Sequence, residues 1–187
     1  MPSALSANLG RLAESLASSD VKLPLPLKLR TAEIILRLMG RRKSFGLFVI
    51  LGWSAKWSDY LDRPDSEQDL FAAHRLNIMN LRQGAKAARD LAATVNFDGA
   101  ILIDRRGNIV HSGVLIEGMR PRLVAQAVNP GRFADLSEQF GFETKVHTRH
   151  LTAIASSRVF RGTTVFTVSE ENGAFHVYEN GKIAYRS

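Results

Sequence analysis

Residues 98 to 116 read DGAILIDRRGNIVHSGVLI, two apolar stretches separated by a short polar turn. Ala100 to Asp104 and Ile109 to Ile116 have the composition of strands, and the four residues from Arg105 to Asn108 are typical of a tight turn. The stretch therefore predicts a β-hairpin. Two more strands, Thr163 to Val168 and Ala174 to Glu179, come near the end of the chain, and Asn180-Gly181 turns into a last strand at Lys182 to Tyr185.

The segments around this hairpin indicate the fold class. The continuous apolar run from Phe45 to Leu51 is typical of a strand that is buried on both faces. Apolar residues at helical spacing predict a helix from Leu29 to Met39 that Gly40 ends, and a second helix begins at Thr148 and runs to about Arg158. We expect an α/β (α+β) fold with a mixed central β-sheet flanked by helices.

Three further segments complete the expected organisation. Residues 1–27 are weakly amphipathic and end in a proline-rich breaker, so we expect an appendage outside the core, followed by one domain over residues 28–187. Ser66 predicts the start of a long helical region that continues to about Val95, with a break near Gly84. Residues 117–147 contain prolines and glycines between short helical pieces and predict an irregular excursion.

Composition excludes several classes of protein. The 187 residues include 45% hydrophobic residues, which suits one compact domain. The chain has no cysteine, which excludes disulfides and thiolate metal sites. No apolar run is long enough to span a bilayer, and the first residues lack the pattern of a signal peptide. We expect a cytoplasmic protein without a membrane partner.

The net charge of +7 favours polyanionic partners, which include nucleic acid, anionic membrane and phosphorylated small molecules. Charge alone does not choose among these partners. The basic residues are scattered in pairs and triplets, and no stripe of basic and aromatic residues of the kind that stacks bases is visible. The pattern therefore does not favour nucleic acid.

Three short segments concentrate groups suited to nucleotide chemistry. In Asp98-Gly99-Ala100, a carboxylate that can hold a divalent cation adjoins a glycine that permits close backbone approach. Thr148-Arg149-His150 places a hydroxyl, a guanidinium and an imidazole at a helix N-terminus, which attracts anions. Ser169-Glu170-Glu171 follows a strand and offers carboxylates for a metal and a hydroxyl for a phosphate. Each segment also has an ordinary structural explanation: a turn, a helix cap and a solvated acidic loop.

The order of these segments resembles one family. Asp98-Gly99-Ala100 with the strand after it, then Thr148-Arg149-His150, then Ser169-Glu170-Glu171-Asn172-Gly173, is similar to the diadenylate cyclase domain. The resemblance covers roughly residues 28–186 and is strongest from Asp98 onward. It implies that two ATP molecules are condensed into cyclic di-AMP, with a divalent metal (Mg²⁺ or Mn²⁺), in a face-to-face homodimer or higher homo-oligomer.

The resemblance also implies roles for individual residues. Asp98 and Glu171 would bind the metal, with Glu170 beside them, and Asp98 would help to activate the attacking hydroxyl. Thr148, Arg149, His150 and Ser169 would hold the triphosphate, and Leu115 with the backbone of Gly99 and Ala100 would line the adenine pocket.

The sequence departs from the family at two positions of the second motif. His147 stands where the best-known form has glycine, and Leu151 stands where it has a final arginine, although one branch of the family has an apolar methionine there. These departures leave an alternative open, a catalytically silent sensor of the same fold that binds ATP or cyclic di-AMP.

Overall fold

The computed structural model describes residues 4–42, 45–62, 69–71, 74–80, 85–86, 89–90, 92–94 and 98–187. The strands are β1 (Leu47–Trp53), β2 (Leu61–Asp62), β3 (Leu76–Asn77), β4 (Ala100–Asp104), β5 (Asn108–Ile116), β6 (Thr164–Val168), β7 (Phe175–Glu179) and β8 (Lys182–Arg186). The α-helices with described ends are α1 (Ala4–Ala17), α2 (Leu25–Met39), α3 (Pro121–Val128), α4 (Leu136–Phe140) and α5 (Thr148–Val159). A 3₁₀ helix spans Ala55–Tyr60.

Within the described residues, the strands form one eight-stranded mixed sheet in the order β2-β5-β4-β1-β6-β7-β8, with β3 also paired to β5. Strand β1 is parallel to β4 and antiparallel to β6, and the other neighbours are antiparallel. The expected α/β class with a mixed central sheet is confirmed. The expected hairpin corresponds to β4 and β5, and the expected terminal strands to β6, β7 and β8.

Helices cover both faces of this sheet, which explains why every residue of β1 is buried. The side chains of β1 alternate between two cores. Val49 and Leu51 join the core shared with α1 and α2, whereas Phe48 and Ile50 join the core shared with α3 and α5. The chain is therefore a three-layer arrangement in which a strand buried on both sides lacks the polar alternation of a half-exposed strand.

The expectation that residues 1–27 lie outside the core is wrong for the part that the structure describes. Leu12 and Leu16 of α1 are 0% and 2% exposed and pack with α2 in the main core. Ser15 also donates a hydrogen bond to the carbonyl of Ala184 in β8. The amphipathic pattern of α1 is weak in the sequence, because only the narrow stripe that contains Leu12 and Leu16 is buried. The boundary at residue 27 itself stays a prediction.

The expectation of a long helical region from Ser66 to about Val95, with a break near Gly84, is also wrong in part. Leu70 and Phe71 lie in a turn, and Leu76–Asn77 form β3 against β5. Helical structure is present at residues 85–86, 89–90 and 92–93. Asp69 holds this segment beside β5. Its carboxylate contacts Nδ1 of His111 at 2.7 Å and accepts a hydrogen bond from the backbone of Ser112. Ser66 and Gly84 lie outside the described residues.

The excursion over residues 117–147 contains α3 and α4, which pack beside α5 on one face of the sheet. Asp135 caps α4 by accepting a hydrogen bond from the backbone of Glu138. No helix in the described ranges is long and apolar enough to cross a bilayer.

Candidate functional site

Four strand ends meet at one edge of the sheet. Strands β1 and β4 are parallel, with Val49 opposite Ile101, so their first residues lie side by side. Strands β5 and β6 run antiparallel to them, and so their last residues reach the same edge. This topology gathers segments that are distant in sequence: the residues before β1 and β4, the end of β5 and the turn after β6.

Helix α5 begins beside this edge and packs against β6 on one face of the sheet. The backbone carbonyl of His147 accepts the first hydrogen bonds of the helix, from His150 and Leu151. The side chain of His147 makes no capping hydrogen bond. The first N–H groups of a helix have no partner within it, so this end of α5 attracts negative charge.

A cavity of about 890 Å³ opens between the sheet edge and the start of α5. Nine of the ten site residues expected from the sequence line it, eight from the three motif segments and Leu115 from β5. They are Asp98, Gly99, Leu115, Thr148, Arg149, His150, Ser169, Glu170 and Glu171. Groups up to 73 positions apart in the chain, from Asp98 to Glu171, are thus brought together.

The tenth expected residue, Ala100, does not line the cavity. Its side chain is 0% exposed and belongs to the core beneath α5. Strand alternation explains the difference, since Ala100 is the first residue of β4 and points into the sheet's packed face. The expectation concerned the backbone of Ala100, which the burial of its side chain does not test, and it stays a prediction.

Several cavity residues were not expected from the sequence. They are Phe48, Val114, Ile116, Glu117, His147 and Thr152. Thr152 lies one helical turn after Thr148, a spacing visible in the sequence once the helix is assigned. Phe48 carries no comparable signal, because it is one of many apolar residues in the continuous run of β1.

Arg149 extends across the cavity toward the start of β1. A β-carbon built on Gly46 would lie 1.7 Å from Nη1 of Arg149, so the guanidinium occupies the space that a side chain at position 46 would fill. Nη2 of Arg149 is 3.7 Å from Oδ1 of Asp98, whose side chain is 95% exposed. Arg149 is therefore held between two strand starts, with its charge facing an exposed carboxylate.

Gly99 brings two backbones into close contact beside Asp98. Its φ of +105° lies in the region that favours glycine, and a β-carbon there would be 2.6 Å from the carbonyl carbon of Gly113 in β5. Any side chain at Gly99 would thus strain the backbone and push β4 away from β5. The glycine of the first motif has a structural reason that is independent of any ligand.

His147 and Glu171 are in contact across the cavity rim, with Nε2 of His147 2.9 Å from Oε1 of Glu171. Both side chains are well exposed. A second cavity of about 630 Å³ shares His147, His150, Ser169 and Glu171 with the first one. The contact between His147 and Glu171 therefore lies at the boundary between the two cavities.

His150 lies deeper than the rest of its motif and is 7% exposed. Its ring packs edge to face with those of His176, at 5.5 Å, and Phe142, at 6.2 Å. Burial lowers the pKa of His150 to about 4, and the nearby charges of His176, Arg149 and His147 act in the same direction. His150 is therefore neutral at pH 7, so it can donate one hydrogen bond to a ligand but adds no positive charge.

No protein-family model and no curated protein matches the sequence. Among solved structures, a protein described as a hypothetical membrane spanning protein from Bacillus cereus aligns with 83% of this chain at 18% identity and a TM-score of 0.52. The chain covers 60% of that protein. DacA from Staphylococcus aureus aligns with 97% of this chain, which covers 89% of DacA, at 17% identity and a TM-score of 0.45.

At such low identity, a structural likeness speaks for the fold and not for the chemistry. The alignment with the Bacillus cereus protein, with a TM-score of 0.52 over 83% of this chain, supports a shared fold. The chain therefore has the fold of the Bacillus cereus protein, with the candidate site at the sheet edge where β1 and β4 begin.

Proposed function

We propose that this chain is a diadenylate cyclase, which condenses two ATP into cyclic di-AMP and releases two diphosphates. The observation that carries the proposal is the convergence of three sequence motifs on one cavity. Each motif has an ordinary explanation when it stands alone. Eight residues from three separate motifs, together with Leu115, line a single cavity of about 890 Å³, which is better explained by a shared ligand.

The lining suits a nucleoside triphosphate. The start of α5 with Thr148 and Arg149 offers N–H groups, a hydroxyl and a guanidinium to the phosphates. Leu115 is 48% exposed and, with Val114 and Ile116, gives the β5 side of the cavity an apolar surface for a base. Phosphate groups and base would thus occupy opposite sides of the cavity.

The proposed reaction is two in-line displacements at phosphorus. The 3′-oxygen of one ATP forms a bond to the α-phosphorus of the other, and the bond from that phosphorus to the oxygen of the diphosphate breaks. The hydroxyl proton is lost, and the bonding electrons leave with the diphosphate. Asp98 is exposed toward the cavity and accepts or orients that proton, while Arg149 neutralises charge on the phosphates.

A divalent cation fits the donor set only in part. Asp98, Glu170 and Glu171 line the same cavity, and carboxylate oxygens are ligands that Mg²⁺ prefers. Within the ranges that the structure describes, no group of three or more acidic or histidine side chains is close enough to hold an ion without help. Mg²⁺ or Mn²⁺ would be bound by Asp98 and Glu171 together with substrate phosphates, and would supply positive charge for the pentavalent phosphorus.

A cyclic product with two equivalent linkages requires two ATP molecules in opposed poses. Two copies of the chain about a twofold axis provide such an arrangement, since each presents the same cavity. The proposal therefore includes a face-to-face homodimer.

One observation favours a second function, a silent sensor that binds ATP or cyclic di-AMP. His147 pairs with Glu171, which the cyclase needs as a metal ligand. A carboxylate engaged with a histidine binds a cation less readily. A sensor would keep the nucleotide contacts of Thr148 and Arg149 and lose turnover.

The two functions are separated by incubating the purified chain with ATP and either Mg²⁺ or Mn²⁺ and identifying the products by mass spectrometry. Cyclic di-AMP in the wild type and none in Asp98→Asn is the result expected of the cyclase. Saturable ATP binding by calorimetry without any product would assign the sensor. The exposed carboxylate of Asp59, which lies outside the cavity, provides a matched control as Asp59→Asn.

A further inference from the structure

A basic cavity lies at the end of β1 and β4 opposite the candidate site. It has a volume of about 370 Å³ and is lined by Trp53, Ser54, Lys56, Trp57, Asp104, Arg105 and Arg106. These residues follow the carboxyl ends of the parallel pair β1 and β4. β1 separates the two cavities by roughly 20 Å, from the rise of an extended strand.

Three cations of this cavity have no acidic partner in the described part of the chain. Lys56, Arg105 and Arg106 are exposed, and none of them forms an ion pair with a described carboxylate. The guanidinium of Arg105 lies against Gly162, just beyond the end of α5. Three unpaired positive charges around one small hollow create a local field that attracts anions.

The one acidic lining residue, Asp104, is occupied within its own turn. Its carboxylate accepts hydrogen bonds from the backbone of Arg106 and Asn108 and from the side-chain amide of Asn108, all at 2.8 to 2.9 Å. Asp104 thus orders the turn that carries Arg105 and Arg106 without neutralising them. The two arginines are presented on a fixed turn, which lowers the entropic cost of binding an anion.

Two further features suit a phosphate group. The hydroxyl of Ser54 makes no capping hydrogen bond to the 3₁₀ helix that follows it, so it remains a donor at the cavity. Lys56 lies over the ring of Trp57 with Nζ 4.6 Å from the ring centroid, which holds the ammonium group near the cavity. Trp53 and Trp57 are each less than 9% exposed, so they line the wall of the cavity but do not offer an exposed ring face on which a base could stack.

We propose that this cavity binds the phosphate group of a small molecule through Lys56, Arg105, Arg106 and Ser54. The site is separate from the candidate nucleotide site and does not depend on the proposed cyclase activity. The phosphate is that of a free ion or of a nucleotide, since both present the same tetrahedral dianion to the two guanidinium groups.

The tryptophans provide a direct readout, because Trp53 and Trp57 are the two tryptophans of the chain and both line this cavity. The full chain is titrated with inorganic phosphate, diphosphate and AMP while tryptophan fluorescence is recorded, with sodium chloride of equal ionic strength as the reference. We expect a saturable change with the phosphate compounds that chloride does not produce. Tighter binding of AMP than of phosphate assigns the site to nucleotides, and the reverse assigns it to the free ion.

Substitutions inside and outside the cavity test whether the fluorescence response comes from binding at this cavity. Arg105→Gln and Arg106→Gln should each weaken binding by about tenfold, the loss expected for one charge-assisted hydrogen bond. Arg122→Gln removes an exposed cation from α3, outside the cavity, and should leave the affinity unchanged.

Three results would overturn the proposal. They are a response equal to that of chloride, a response that survives in the combined Arg105→Gln and Arg106→Gln variant, and a response to a single-stranded oligonucleotide with none to phosphate, diphosphate or AMP. Calorimetry repeats the titration of the variants, so that a change in fluorescence yield alone is not taken for a change in affinity.

Discussion

The guanidinium of Arg149 occupies the position where a side chain on Gly46 would begin, 1.7 Å from the β-carbon built there. The two residues are 103 positions apart and come together because β1 starts beside the first turn of α5. A glycine at the entrance of β1 thus gives Arg149 its place in the cavity.

Gly46→Ala should therefore weaken ATP binding although position 46 carries no functional group. The added methyl group displaces the guanidinium, and we expect a loss of about tenfold or more, similar to that of Arg149→Ala. Calorimetric titration with ATP measures both. Gly10→Ala is the matched control, since a β-carbon there meets no heavy atom within 4 Å. Unchanged affinity in Gly46→Ala, with Arg149→Ala impaired, would refute the steric argument.

Asp98→Asn should abolish formation of cyclic di-AMP and leave ATP binding nearly intact. The amide keeps the shape of the side chain but loses the charge that a metal and a hydroxyl proton require. The side chain is 95% exposed, so the substitution should not affect folding. When this variant is titrated into wild type, activity should fall by more than simple dilution, because mixed dimers complete at most one linkage. A strictly proportional fall would exclude the face-to-face dimer.

His147→Gly should lower the concentration of Mg²⁺ or Mn²⁺ at which activity is half-maximal. The substitution removes the partner of Glu171 and frees that carboxylate. An exposed ion pair is worth up to about 1 kcal/mol, which corresponds to a shift of about twofold to fivefold. Helix α5 should tolerate the change, since His147 makes no side-chain cap and glycine is acceptable at that position. A higher metal requirement would mean that His147 helps to hold the ion.

The free energy of unfolding should fall as pH is lowered from 7 to 5, in part because of His150. In the folded state burial lowers the pKa of His150 to about 4, whereas the unfolded residue titrates near 6.5. Between these values the unfolded chain binds more protons, so acid favours unfolding, by about 2 kcal/mol at pH 5. Burial also lowers the pKa of His176, which adds to the effect.

Urea unfolding of wild type and His150→Phe at the two pH values measures this contribution. The variant keeps an aromatic ring beside Phe142 and His176 and should show a smaller difference between pH 7 and pH 5. His74→Gln, at an exposed position, should behave as wild type. An identical pH dependence in His150→Phe would show that His150 does not titrate as described.

Lys28→Met should destabilise the fold far more than Lys86→Met, although both lysines form ion pairs of 2.8 Å. Lys28 and Glu179 are 2% and 5% exposed, and Glu179 also accepts hydrogen bonds from Ser19 and Thr164. Removing one partner of a buried pair costs about 3–5 kcal/mol, whereas an exposed pair contributes about 0.5 kcal/mol. Urea unfolding compares the two variants. Lys28→Met combined with Glu179→Gln should recover most of the loss, and no recovery would contradict the assignment.

Local patterns predicted much of the sheet and the site. The turn at Arg105 to Asn108 and the apolar run of β1 each specify an element through its own residues, and both elements are present. The predictions that were wrong concern segments whose structure depends on contacts with residues distant in the sequence. The position of Leu70 depends on the neighbouring Asp69, whose carboxylate contacts the distant His111, and Leu12 is buried in a core that α1 shares with α2 and the sheet.

The motif residues were found because their chemical types are unusual in combination. Phe48 and Gly46 are ordinary residues whose importance comes from position alone. The pairing of His147 with Glu171 likewise depends on two loops meeting, which neither loop predicts separately.

The sheet order has a consequence for the chain during its synthesis. Strand β1, near the middle of the sheet, pairs with β4 and β6, and β6 is completed at Val168. In a nascent chain the edge of β1 that pairs with β6 therefore stays unpaired until Val168, more than a hundred residues after Trp53, has been translated. Such non-local pairing slows folding and leaves strand edges open to aggregation. The candidate site, whose last residue in chain order is Glu171, is therefore incomplete on the ribosome until that residue has emerged.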